Sequence, residues 1–171
     1  MRTSTANVLT VLFLAFLCFA QELCGAAEPE PTIYSTWENC MEVDKCGSAW
    51  LIARFVDKNA QFKFYEQGAL DMEGIPFDVP TAELRSGRDR STFEAVVAYY
   101  KIDDPAVAAV AKVIREIELN VWSEKSSDLA ASLPKLIEGI RLISKNDHEC
   151  LKHGFVLMDA LYAYINKLLG D

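Results

Sequence analysis

The sequence predicts an α+β fold, mainly α, with four to five helices and a small two- or three-stranded β element. Three observations lead there. Helix starts with matched capping residues recur from residue 91 onward. The run Gln-Phe-Lys-Phe-Tyr at 61–65 alternates apolar and polar with period two, as a half-buried strand does. The run Ala-Trp-Leu-Ile-Ala-Arg-Phe-Val, which follows Ser48, places apolar residues on several sides at helical spacing.

Taken in order, residues 1–27 stand apart from the fold. Arg2 leads an apolar run from Val8 to Ala20, and the small residues Gly25, Ala26 and Ala27 follow, the pattern of a secretory signal peptide. The run is shorter than the roughly 20 residues of a membrane helix, and no later stretch offers a second candidate. Neither Cys18 nor Cys24 follows the pattern of a lipid-attachment site, so no stable membrane anchor is expected after cleavage. The expected location is exported, periplasmic or secreted. Residues 28–36, opening Glu-Pro-Glu-Pro, read as a polar tether because two prolines in four residues deny regular structure. A single domain is expected over 37–171.

Within that domain a short helix is expected from Ser48, then the strand at 61–65. Ile75–Val79, bounded by Gly74 and Pro80, is a second candidate strand. Four helices follow at about 92–101, 105–119, 128–144 and 147–169. Ser91 with Glu94, and Asn146 with Glu149, fit capping boxes. Asp104 precedes Pro105, a proline at the first helical position, where its missing amide is not needed.

Charge narrows the function. The chain carries 17 basic and 25 acidic residues; removing Arg2 and Glu22 with the leader leaves 16 − 24 = −8. Nucleic-acid affinity rests on Lys and Arg neutralising phosphates, and no basic stripe is present, so no nucleic acid is expected as a partner. No Gly-rich phosphate loop, CxxC, HExxH or serine nucleophile elbow is found, which disfavours the well-known hydrolases and nucleotide enzymes. Three cysteines remain beyond the leader, Cys40, Cys46 and Cys150, an odd number that cannot pair completely within one chain. A Cys40–Cys46 bridge would close a short loop; a Cys46–Cys150 pair and three reduced thiols are the alternatives.

Several runs are specific: VDKCGSAWLIARFVD at 43–57, IPFDVPTAEL at 75–84, RDRSTFE at 88–94, NDHE at 146–149 and MDALYAY at 158–164. With them the chain resembles the chromate-resistance domain found at the C-terminal end of ChrB-type regulators and in smaller exported proteins, over about Trp37 to Tyr164. The family commonly carries Cys-Pro where Ser48-Ala49 stand, and a His and a Cys where Ser86 and Ser91 stand. The resemblance implies a role in chromate or metal stress, and these departures imply that the soft ligands have been lost here. Longer relatives carry an N-terminal part associated with transcriptional control; DNA regulation is not implied for this chain.

Ser48 and Ser91 each precede an expected helix, whose N-terminus presents unpaired amides and the positive end of the dipole. Such ends bind tetrahedral anions, and Arg54 or Arg90 could add charge-assisted bonds. The ordinary reading of both serines is a helix cap. His148, beside Asp147 in the first turn of the last helix, is placed to accept a hydrogen bond or a metal. His148, Lys152, Phe155, Asp159 and Tyr162 share one helix face. Asp159, among apolar neighbours, reads as a buried carboxylate needing a partner, with Arg54 or Tyr99 as candidates. Trp37, Trp50, Trp122, Phe55, Phe62, Phe64 and Phe93 read as core, with Arg54 stacked on Trp50 one turn away.

The expected ligand-binding residues are therefore Asp44, Ser48, Arg54, Arg90, Ser91, Asp147 and His148, for a small anion or a metal species. No organic cofactor is expected. Three functions compete. First is an exported accessory or sensor-like protein binding an oxyanion or metal species. Second is a protein-interaction module with a degenerate site. Third is an enzyme in which Asp147 orients His148 as general base.

Overall fold

The computed structural model describes residues 30–39, 41–120 and 124–170. The chain runs β1 (Ile33–Trp37), α1 (Val43–Leu51), a π-helical turn (Ile52–Val56), β2 (Gln61–Tyr65), β3 (Ile75–Pro76), then α2 (Thr92–Tyr100), α3 (Pro105–Leu119), α4 (Asp128–Ile143) and α5 (Asp147–Gly170). Five α-helices beside a three-stranded sheet give the mainly α, α+β fold that the pattern predicts.

The sheet has the order β2-β1-β3, with β1 parallel to both neighbours. Parallel strands need a crossover, and α1 with its π turn supplies the one between β1 and β2. Register runs from Ile33 opposite Gln61 to Trp37 opposite Tyr65. At the other edge β3 comes very close to β1: Gly74 has φ +80°, and a Cβ there would lie 2.1 Å from the Ile33 carbonyl oxygen. Only glycine meets both demands. The candidate strand at 75–79 is thus shorter than expected, two residues plus an isolated bridge from Phe77 to Leu84.

Two boundaries differ from the sequence expectation. The tether does not reach residue 36, because Ile33–Thr36 belong to the central strand and Tyr34, Ser35 and Thr36 are buried. The first helix starts at Val43, not after Ser48. All nine of its residues are buried, so no polar face marks its period, and its N-cap Glu42 makes no side-chain cap.

The later helices start where their caps predict. Ser91 accepts from the Glu94 amide while the Glu94 carboxylate accepts from the Ser91 amide, a complete capping box. Asp104 accepts from Val107 and Ser127 from Ala130. At α5 Asn146 accepts the Glu149 amide as predicted, but the Glu149 carboxylate reaches the amide of Lys145, one residue further back.

Tyr34, Trp50, Leu51, Ile52, Phe77, Phe93, Ile114 and Met158 centre the core. Phe55, Phe62 and Phe64 pack against it half-buried. Trp37 is half-buried and donates its indole N–H to the Ala69 carbonyl. Trp122 and Cys40 lie outside the described residues. Among the described residues no helix is long and apolar enough to cross a membrane.

Candidate functional site

The central polar feature is a buried cluster where α1 meets the start of α2. Asp44, in the first turn of α1, is 3% exposed. Its carboxylate accepts the backbone N–H of Thr92 at 2.6 Å and of Phe93 at 2.7 Å. These are orphan amides of a helix N-terminus, and a carboxylate is the natural partner of that positive end. Ser48 donates a long bond, 3.4 Å, to the same carboxylate. Beside it Asp78, at φ +52°, accepts from the Thr92 hydroxyl at 2.6 Å. Lys45, also 3% exposed, donates to the Trp37 carbonyl at 3.0 Å and lies 3.8 Å from Asp78.

Two carboxylates beside one ammonium in a buried site perturb one another. Burial, and then the neighbouring Asp78, push Asp44 up to about 7 against the pull of the two amides. Burial likewise raises Asp78, with the Thr92 hydroxyl and Lys45 opposing. Glu118 on α3, raised mainly by burial and then by Asp44, is also pushed up to about 7.

The arrangement places the sequence-predicted residues as follows. Ser48 and Ser91 are both fully buried; Ser48 bonds Asp44 and Ser91 caps the helix whose next two amides Asp44 accepts, but neither opens a free helix end. Ser48 lies inside α1, and the α2 amides expected to face an anion are already bonded to Asp44 or, at Glu94, to Ser91. Arg54 is not stacked on Trp50 and is not free for an anion. It forms a two-point bond with Asp159, at 3.0 and 2.8 Å, and lies over the Phe155 ring at 5.4 Å. Trp50 donates its indole N–H to Asp159 at 2.6 Å. Asp159 is thus partnered by Arg54, as one expectation had it, and the pair pulls its pKa down, Arg54 contributing most. Its side chain is nevertheless 45% exposed, not buried. Tyr99 is exposed and takes no part. Arg90 is exposed on the loop before α2.

Asp147 and His148 do not form a dyad directed at this cluster. Asp147 accepts the Asn39 amide at 2.9 Å. His148 is exposed and meets Phe64 edge-on, ring centroids 4.9 Å apart. It lines an open depression with Lys145, Lys152 and His153. The face shared by Phe155, Asp159 and Tyr162 forms as expected: Phe155 meets Phe62, and Tyr162 meets Trp50 and Phe55.

Cys46 and Cys150 are both buried free thiols, so the Cys46–Cys150 pair does not form. Burial pushes the Cys46 thiol up to about 12, far from the thiolate that reacts with an oxidant or a metal. Among the described residues no three His, Cys, Asp or Glu side chains are placed to hold a metal ion. The residues that sequence reasoning missed are Lys45, Asp78, Thr92 and Glu118. A signal for one of them was present, since Lys45 stands beside Asp44 within a segment whose other residues are apolar or small.

A polar centre of this kind, set between the βαβ crossover and the start of α2, defines a mainly helical domain with an internal carboxylate clamp. Comparison with known proteins supplies its lineage. The family profile described as "ChrB, C-terminal domain" matches residues 34–165, and the chain belongs to that family. Protein ChrB of Cupriavidus metallidurans is 26% identical over 126 residues, covering 72% of this chain and 38% of that relative. The chain therefore aligns with less than half of the relative's length. No solved structure matches. The family makes this a chromate-resistance-related protein.

Proposed function

We propose that this protein is an exported accessory component of the response to chromate or metal stress that works through contact with another protein. On this reading it does not hold an oxyanion at its helix starts. One observation carries the reading: the Asp44 carboxylate occupies the Thr92 and Phe93 amides that an anion would need. An incoming dianion would have to displace a carboxylate already held by two short bonds, and it would meet Asp78 beside it. The net charge of −8 works in the same direction. Export rests on the leader pattern of residues 1–27, which lie outside the described residues.

A second reading keeps direct anion binding but moves it. Lys145, Lys152 and both of the chain's histidines, His148 and His153, line one open depression at the start of α5 together with Asn146 and Glu149, whose carboxylate is held by the Lys145 amide. Several N–H donors facing one hollow are the chemistry that an oxyanion takes.

Calorimetric titration of the purified protein with chromate, with sulfate as competitor, separates the two. The first reading predicts a flat trace. Saturable heat abolished by the double variant His148→Ala, Lys152→Ala would install the second. Heat abolished by Arg90→Ala would overturn both and restore the oxyanion site at the α2 start.

A further inference from the structure

We infer that α4 and α5 form a self-association surface and that its occupant is the same helix pair of a second copy. On α4, Leu129, Leu136 and Ile143 recur every seven residues, with the small residues Ser132 and Gly139 between them. Seven-residue spacing returns side chains to nearly the same side of a helix, the seam by which helices pack on helices. Leu136 is 52% and Ile143 72% exposed, and a Cβ added at Gly139 would meet nothing within 4 Å, so this seam faces outward. On α5, Tyr164 and Leu168 are also about half exposed. Between the two helices runs an apolar groove lined by Leu129, Leu133 and Leu136 on one side and Leu157, Leu161 and Tyr164 on the other. Leu133 and Leu161 form the floor of the groove as part of the core, while Leu136, Ile143, Tyr164 and Leu168 stand out from it, and the function proposed above does not depend on them.

Three features select a second copy as the occupant. A seam with helical spacing and small residues between large ones fits another helix, and α4 with α5 is a hairpin of matching spacing. The exposed charges of these two helices are of both signs: on α4 Asp128, Lys135 and the Glu138–Arg141 ion pair, and on α5 Lys167. Such a pattern can complement itself across a two-fold axis, whereas a strongly acidic or basic partner would find no matching field. Size fits as well: the four exposed side chains Leu136, Ile143, Tyr164 and Leu168, with the groove edge between them, offer on the order of 500 Å² per chain, so that a symmetric pair reaches the roughly 1,000 Å² of a specific if modest interface.

Sedimentation velocity of the purified protein from about 1 to about 200 μM tests this, with dissociation expected in the micromolar range. Leu136→Asp should weaken association at least about a hundredfold, because two-fold symmetry places the substitution twice in the contact. Gly139→Glu, whose new side chain points into open space in the monomer, should do the same and guards against a folding defect at Leu136. Leu142→Asp, 78% exposed but off the seam, should change nothing. A protein that stays monomeric over the whole range, or a dimer weakened equally by Leu142→Asp, would overturn the inference.

Discussion

Replacing Asp44 by Asn should make the stability curves of variant and wild type cross between about pH 4.5 and about pH 6. In the folded protein the Asp44 pKa is raised to about 7 from its ordinary 3.8. The folded state therefore holds a proton that the unfolded chain has released across that window. Stability falls as pH rises from about 4 to about 7, by on the order of 4 kcal/mol for a shift of about 3 pK units, and is flat above. Because Asp44 is only 3% exposed, little of this is screened away. Asn cannot ionise, so the variant lacks this slope. Its amide nitrogen, however, cannot accept either the Thr92 or the Phe93 N–H, which leaves one buried donor unpaired at about 1–3 kcal/mol. The variant should thus be less stable than wild type by about 1–3 kcal/mol near pH 3.5 and more stable by a similar margin near pH 8.5. Asp78, raised mainly by burial, slopes both proteins alike; Glu118, raised by burial and then by Asp44, loses the Asp44 contribution in the variant, which flattens its slope further in the same direction. Urea unfolding followed by circular dichroism at both pH values reads this directly. A variant less stable by the same amount at every pH would refute the reasoning.

Other substitutions test the packing around this centre. Gly154→Ala puts a Cβ 2.3 Å from the Cys46 sulfur but 3.9 Å from its Cβ. It should cost about 1–3 kcal/mol by overpacking, and pairing it with Cys46→Ala should recover much of that loss in a thermal-melt double-mutant cycle. Asp159→Ala should cost more than Arg54→Ala, because Asp159 also accepts the buried Trp50 indole N–H. The ion pair itself is nearly half exposed and worth at most about 1 kcal/mol, so equal losses in urea unfolding would show that the indole bond adds nothing.

Three of the four later helices were legible because each announces its start in adjacent residues: Ser91 with Glu94, Asp104 with Pro105, and Asn146 with Glu149. A cap is a local interaction, and local interactions are written locally. Helix α1 was legible only in its second half, since Glu42 offers no cap, Gly47 is a poor helix former, and burial on every side erases the polar stripe that would mark a period. Strand β1 was hidden for the related reason that a central parallel strand need not alternate, and its buried Ser35 and Thr36 read as loop. Gly47 shows what such packing demands, since a Cβ there would lie 2.8 Å from the Ile114 side chain.

The site was harder still. Asp44, Ser48 and Ser91 stand among the expected ligand-binding residues, yet the structure relates them differently: Ser48 bonds Asp44, and Ser91 caps α2 with Glu94. The helix start was read as an open anion cradle, whereas a carboxylate from 48 residues away fills it. Nothing in the spacing of Val43-Asp44-Lys45-Cys46 discloses a partner so distant in sequence. The Asp147-His148 pair fails for the opposite reason, that adjacency in sequence was taken for orientation in space. Successive helical residues point about 100° apart, so Asp147 turns to Asn39 while His148 turns to Phe64.

The occupancy of the α2 start can be read most directly from the amide resonances of Thr92 and Phe93 while chromate, and then sulfate, is added to the isotopically labelled protein. If Asp44 is the resident acceptor, both amides resonate at the low field of short hydrogen bonds, exchange slowly with solvent and do not move as either anion is added. Saturable shifts of these two resonances, with faster exchange of Asp44 contacts, would mean that an oxyanion takes the place assigned to the carboxylate.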